Sequence, residues 1–187
     1  FISSWAVPYG MNMYDLTRSD ASQLIMVGLI GALIGAPLTS WISSRLGTIK
    51  RPYVIVHFII LTSWSAFLLF KGNPPLFMLI LLFFIIGFGF GASALTFAVV
   101  RQSFPIKESG IVSGFANTGG FLSAVLLPGF FGKVLDHFQS VSGSMTEGYF
   151  YGFIIPVIFS LIGLFGVSTI KEMRQHESAE AESSRLK

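Results

Sequence analysis

Cysteine is absent from this chain, and charged residues make up only 11% of its 187 residues. Without cysteine, neither a disulfide framework nor a cysteine-ligated metal site can form. The low charge is combined with 52% hydrophobic residues and a mean hydropathy of +0.72, which is too apolar for the surface of a soluble domain of this size. The composition therefore indicates a protein that is surrounded by the lipid bilayer.

Sequence signals for an enzyme, a metal site or a nucleic-acid surface are also missing. His57, His137 and His176 are far apart in the sequence and have no carboxylate partners at ligand spacing. There is no G-x-S-x-G or P-loop motif, and the glycine-rich runs lie within apolar segments. The net charge is +3, but the basic residues form no stripe. We therefore expect no catalysis, no bound metal or cofactor and no nucleic-acid partner.

Several apolar runs are long enough to cross a membrane. A bilayer core of about 30 Å requires roughly 20 helical residues. Five runs reach or approach this length, at 21–42, 53–70, 76–100, 111–135 and 149–170. A sixth run, at 1–14, is shorter, and we interpret it as a helix whose beginning is missing, since the chain opens inside it without an initiator Met. We predict a six-helix transmembrane domain over 1–170 and a polar cytoplasmic tail over 171–187.

Positive charge alternates between the two ends of successive runs. Lysine and arginine accumulate in short cytoplasmic loops and are sparse in loops on the other side of the membrane. The basic residues at one set of ends are Arg45, Lys50, Arg51, Arg101, Lys107, Lys171 and Arg174. The opposite ends carry only Arg18, Lys71 and Lys133. This alternation predicts helices that run up and down in turn, with the C-terminus in the cytoplasm.

Pairs of glycines four residues apart occur in three of the runs. They lie in GALIG of the second run, GFGFG of the fourth and GIVSG of the fifth. Small residues on one helical face let helix backbones approach closely in a bilayer, so we expect these three helices to pack inside the bundle. The third run, VIVHFIILTSWSAFLLF, has no glycine and has bulky apolar residues all round, so we expect it to face lipid.

The second and fifth runs share a weak internal similarity. GALIGAPLTSWISSRLG and GGFLSAVLLPGFFGKVLD each have small residues, an apolar stretch and a proline, followed by about two turns that end at a polar boundary. The predicted topology makes these two helices run in opposite directions. Such a pattern is typical of two three-helix units related by inverted topology.

Four stretches resemble a known family, namely WAVPYGMNMY, GAPLTSWISSRLGTIKRP, FAVVRQSFPIKESGIVSGFANTGGF and LLPGFFGKVLD. With them the chain resembles the C-terminal half, helices seven to twelve, of a major facilitator superfamily transporter. The resemblance covers most of the chain up to about Ile170. It implies an all-α membrane fold of two inverted three-helix repeats, and a partner that supplies the other six helices.

The basic loop after the second helix departs from the family pattern. That pattern reads roughly G-x-x-x-D-R-x-G-R-R, and here Arg45 and Gly47 match it while the basic pair appears late, as Lys50 and Arg51. A serine, Ser44, replaces the aspartate that is thought to latch neighbouring helices in the family. We therefore assign this loop a topogenic role, and leave gating as an alternative.

A solute site is the next implication of the resemblance, since the family has a central cavity that each half lines mainly with its first, second, fourth and fifth helices. Trp5, Tyr9 and Asn12 share one face of the first helix and present aromatic surface and an amide. Asn117 lies well inside the fifth helix, with Thr118 beside it. We interpret these five residues as candidates for solute contact. The alternative is that Asn117 only hydrogen-bonds a neighbouring helix, and that Trp5 and Tyr9 only pack against aliphatic side chains.

The functional prediction is a half of a secondary active transporter that moves a small organic solute, such as an organic anion or similar metabolite, by alternating access. No Asp or Glu lies in the middle of a run, so any proton coupling would use a carboxylate in the missing half. We expect a multi-pass protein of the cell membrane, of the bacterial inner-membrane type. The alternative is a stand-alone six-helix module that homodimerises as a scaffold or receptor, or two copies that pair to imitate a whole transporter.

Overall fold

The computed structural model describes residues 1–170, and the predicted polar tail at 171–187 lies outside that part of the chain. The described residues form helices and no strands. In chain order the helices are α1 (Ile2–Tyr14), α2 (Arg18–Leu46), α3 (Lys50–Leu69), α4 (Leu76–Gly91), α5 (Ala94–Ser103), α6 (Ile106–Val141), α7 (Met145–Gly152) and α8 (Ile154–Ser168).

Five helical units are long and apolar enough to cross a membrane. They are Arg18–Leu46, Lys50–Leu69, Leu76–Ser103, Ile106–Val141 and Met145–Ser168. Helix α1 has 13 residues and is too short by itself. The prediction of an all-α membrane fold is confirmed.

Two of these units are interrupted. The third spanning unit, Leu76–Ser103, divides into α4 and α5 at Ala92 and Ser93, in the glycine-rich stretch GFGFGAS. There the amide of Ser93 donates to the carbonyl of Phe90 at 3.1 Å, a tighter turn than that of an α-helix. The last unit divides at Phe153, because Pro156 has no amide hydrogen to donate to the carbonyl of the preceding turn.

Helices α2 and α4 pack with their backbones in close contact. A β-carbon added at Gly31 would overlap the carbonyl oxygen of Phe84, and one added at Gly87 would overlap that of Gly28. Gly91 lies in the same way against the carbonyl of Ala32. The predicted close packing is therefore confirmed for the second and fourth runs.

The fifth run behaves differently, and the expectation that it packs through its glycines is wrong for the described part of the chain. A β-carbon added at Gly110 or Gly114 would meet no atom within 4 Å. Nearby Phe115 is 82% exposed, and the buried residues of α6 are Phe131 and Leu135, toward its end. The fully buried residues of α6 therefore lie in its last third.

Helix α3, expected to face lipid, does so on one side only. Ile55 and Phe58 are exposed, whereas Val56, Trp64 and Phe67 are buried. The buried side packs against α4 and α8. A helix that is apolar all round gives no sequence signal for the face it buries.

Candidate functional site

An aromatic cluster fixes the end of α1 within the bundle. Its members are Phe1, Tyr9, Trp64, Phe67, Phe131, Tyr149 and Phe153. Phe67 and Phe153 stack with ring centroids 4.3 Å apart, and Tyr9 meets Tyr149 edge to face at 5.1 Å. Edge-to-face and offset stacked pairs of this kind add to the free energy gained by burying the rings. The cluster therefore gives α1 a fixed position against α3, α6 and α7.

Tyr9 lies inside this cluster, and none of its surface is exposed. Its hydroxyl donates a hydrogen bond of 2.7 Å to the carbonyl oxygen of Gly72, in the connection between α3 and α4. The hydroxyl of Tyr14 lies 3.3 Å from that of Tyr9 and donates to the carbonyl of Pro74. In this conformation Tyr9 holds α1 to the α3–α4 connection, and a solute would reach it only if these bonds opened.

Trp5 joins α1 to α6. Its indole N–H donates to the carbonyl oxygen of Pro128 at 3.1 Å, and its ring lies 5.6 Å from that of Phe131. A β-carbon added at Gly132 would lie 3.0 Å from the Trp5 ring. The lack of a side chain at Gly132 therefore leaves room for the indole beside α6. Trp5 remains partly exposed.

Asn12 is the exposed polar group on this face of α1. Its side-chain amide donates to the hydroxyl of Tyr149 at 3.1 Å. Within residues 1–170, no group donates a hydrogen bond to the side-chain carbonyl of Asn12. The side-chain NH₂ group of Asn12 is thus bonded to the protein, and its side-chain carbonyl is free to accept a hydrogen bond from another molecule.

Asn117 and Thr118 lie on a separate part of α6. Asn117 precedes Pro128 by 11 residues, which corresponds to about 16 Å along a helix. Both residues are exposed, and Thr118 donates its hydroxyl to the carbonyl of Gly114 at 3.0 Å. Asn117 has no hydrogen-bond partner for its side chain among the described residues. The structure therefore brings Trp5, Tyr9 and Asn12 together, and leaves Asn117 and Thr118 apart from them.

The basic loop between α2 and α3 is short. Helix α2 ends at Leu46, Gly47 adopts a left-handed conformation with φ of 64°, and α3 begins at Lys50. The guanidinium of Arg45 lies over the Trp41 ring, 5.4 Å from its centroid. Lys50 and Arg51 occupy the first turn of α3. The hydroxyl of Ser43 donates to the carbonyl of Thr48 at 3.0 Å, which fixes the turn.

Sequence reasoning missed Tyr149, Gly72 and the pair of Tyr53 with Thr96. The hydroxyls of Tyr53 and Thr96 form a hydrogen bond that joins α3 to α5. Tyr149 meets Asn12 across 137 residues of sequence, so no local pattern could pair them. Gly72 had a local signal, since KGNPP predicts a turn, but not the partner of its carbonyl. No group of three or more metal-ligating side chains is close enough to hold a metal ion within residues 1–170.

The spanning helices and their close-packed glycines define a multi-pass membrane protein that lies in a lipid bilayer. In comparisons with known proteins, the family model of the Major Facilitator Superfamily matches residues 1–186. The chain therefore belongs to this superfamily, and it is a membrane transporter rather than a member of an enzyme family. No curated protein and no solved structure matches the chain.

Proposed function

We propose that the chain is the C-terminal six-helix half of a secondary active transporter, and that it moves a small organic solute by alternating access. The observation that carries this proposal is Asn117, a polar side chain within spanning helix α6 that has no hydrogen-bond partner among the described residues. Unpaired polar groups are costly in hydrocarbon and normally face protein or water. A second six-helix bundle, or an aqueous cavity shared with it, would meet this requirement.

Apolar exposure on the same helix supports a facing partner. Ile111 and Phe115 are 79% and 82% exposed. They flank Gly114 in the sequence, where an added β-carbon would meet no atom within 4 Å. An exposed face that combines bulky side chains with a small-residue groove suits another helix as well as lipid. The partner in this proposal is the N-terminal half of the transporter, and a second copy of this chain is the alternative.

The proposed solute contacts are Trp5, Tyr9, Asn12, Asn117 and Thr118. Asn12 offers its free side-chain carbonyl, Trp5 offers a ring face, and Asn117 offers a whole amide. Tyr9 acts mainly by holding α1 in place, since its hydroxyl already binds Gly72. The amide N–H groups of Asn117 can donate to the oxygens of an organic anion or of a neutral metabolite, and the carbonyl of Asn12 can accept from a hydroxyl group of the same solute. We place the solute in this class.

The proposed location is the cell membrane, of the bacterial inner-membrane type, with the C-terminus in the cytoplasm. Arg45, Lys50 and Arg51 support this orientation, because cytoplasmic loops retain lysine and arginine. Gly47 allows the chain to reverse within three residues between α2 and α3. A gating role of this loop would use the contact between Arg45 and Trp41.

Solute uptake by the full transporter tests the proposal. Asn12→Ala and Asn117→Ala should each lower uptake about tenfold, because each removes hydrogen bonds to a bound solute. Gln139→Ala, an exposed polar change near the end of α6, is the matched control and should leave uptake unchanged. Wild-type uptake in both test variants, at equal membrane levels, would overturn the site.

The mass of the functional particle distinguishes between the two candidate partners, the N-terminal half and a second copy of this chain. Light scattering of the purified protein in detergent should give the protein mass of one copy of this six-helix unit together with one different six-helix unit. Two copies of this chain with measurable uptake would favour the paired half-transporter, and two copies without uptake of any solute would favour a scaffold.

A further inference from the structure

A partly open cavity lies between α3, α6 and α8 and has a volume of about 250 Å³. Helices α1, α2 and α4 contribute no lining residue to it, so it is separate from the proposed solute contacts on α1. Its apolar walls include Ile60, Leu127 and Phe159. An apolar cavity of about 150 Å³ is known to hold benzene, so this volume admits an aromatic ring with several further atoms.

His57 provides an acceptor at the cavity. Its Nδ1 lies 3.0 Å from the backbone carbonyl oxygen of Tyr53, and a carbonyl only accepts, so Nδ1 carries the hydrogen. In the neutral imidazole, Nε2 then has a free lone pair. A β-carbon added at Gly163 would lie 3.7 Å from Nε2, so the lack of a side chain there keeps this edge of the ring uncovered on the α8 side.

Two donors at the cavity lack partners among the described residues. The hydroxyl of Ser160 makes no hydrogen bond, although Ser63, Ser65 and Ser168 donate to carbonyls of their own helices. The indole N–H of Trp64 also has no partner. Trp64 is only 6% exposed, and no fully enclosed side-chain nitrogen or oxygen in residues 1–170 is unsatisfied, so this N–H reaches open space.

We propose that this cavity binds a small uncharged aromatic molecule that carries a hydroxyl group, that is, a phenol. The phenolic O–H would donate to Nε2 of His57, and its oxygen would accept from Ser160 or Trp64. The ring would pack among the apolar walls. None of the described lining residues carries a carboxylate, ammonium or guanidinium group, so nothing there compensates a charged ligand.

Fluorine NMR of the purified chain in detergent, with 4-fluorophenol as the probe, tests this site. Fluorobenzene, which lacks the hydroxyl, measures partition into the micelle. We expect saturable binding of 4-fluorophenol only. His57→Leu should weaken it about fivefold, because it removes one neutral hydrogen bond. Ser160→Leu should weaken it at least as much, because it removes a hydroxyl donor and occupies part of the cavity. Ser65→Ala, on α3 but outside the cavity, should leave binding unchanged.

Equal binding of the two probes by the wild-type chain would overturn the proposal, and so would undiminished 4-fluorophenol binding by either folded variant, His57→Leu or Ser160→Leu. Helix content by circular dichroism checks that each variant folds. If one variant fails to fold, the other decides the question, since the two residues approach the cavity from different helices.

Discussion

The hydroxyl of Tyr9 and the carbonyl oxygen of Gly72 are 2.7 Å apart, although the two residues are separated by 63 positions in the chain. Tyr9 is fully buried among aromatic rings, so its hydroxyl has no access to water. The Gly72 carbonyl is presented to it because Gly72 has a φ of 78° and its amide donates to the carbonyl of Phe67 at 2.7 Å. The left-handed turn after α3 therefore creates the acceptor that Tyr9 requires.

Replacing Tyr9 by Phe should lower the free energy of unfolding by about 1 to 3 kcal/mol, because the Gly72 carbonyl is left without this donor. Tyr151→Phe is the matched control, since Tyr151 is 43% exposed and its hydroxyl has no hydrogen-bond partner within the described residues. Unfolding by denaturant in mixed micelles measures both. Equal stability of the two variants would show that the hydrogen bond contributes nothing.

Packing between α2 and α4 gives a second prediction. Gly87→Ala should destabilise the chain by about 1 to 3 kcal/mol, because the added β-carbon would overlap the carbonyl of Gly28 and neither backbone can yield cheaply. Gly114→Ala makes the same chemical change where no atom lies within 4 Å. It should be neutral or stabilising by up to about 1 kcal/mol, since alanine favours helix over glycine. Thermal unfolding in detergent measures both, and a destabilising Gly114→Ala would contradict the described exposure of α6.

The same glycine motif thus has two outcomes in this chain. Spacing of four residues correctly predicted that α2 and α4 pack closely, because small residues are what allow such packing in lipid. It failed for Gly110 and Gly114, since a groove on one helix says nothing about whether another helix faces it. The helical, membrane-spanning character of the runs was readable from their apolar length, whereas the breaks at Ala92 and Phe153 depend on local backbone hydrogen bonds.

The grouping of the candidate residues on α1 could be predicted because it depends on one helix alone. The spacing of Trp5, Tyr9 and Asn12 placed them on one face of α1, and they do lie in one region of the structure. Their partners were not predictable, because Pro128 and Tyr149 come from distant parts of the chain. Whether any of the three contacts a solute stays a prediction.

Gly47 gives a third prediction, about the turn between α2 and α3. Its φ of 64° is left-handed, and a β-carbon added there would meet no atom within 4 Å, so any cost of substitution is conformational alone. Gly47→Ala should therefore cost about 1 kcal/mol, whereas Gly47→Asn should cost less, since asparagine tolerates this conformation better. Unfolding in detergent should show that the wild type is the most stable, Gly47→Asn is less stable and Gly47→Ala is the least stable. An alanine variant as stable as the wild type would contradict the left-handed turn.

Orientation in the membrane gives the last prediction, and the lack of native cysteine makes each single-cysteine variant a clean reporter. Ser44 and Asn73 are exposed and lie near opposite ends of α3, whereas Thr48 in the first of these connections is buried and would label poorly. The cations Arg45, Lys50 and Arg51 should retain the Ser44 end in the cytoplasm. In intact bacterial cells, a membrane-impermeant maleimide should therefore label Asn73→Cys and not Ser44→Cys, and permeabilised cells should label both. Labelling of Ser44→Cys in intact cells would reverse the assignment of every helix, because the spanning units are predicted to alternate in direction along the chain.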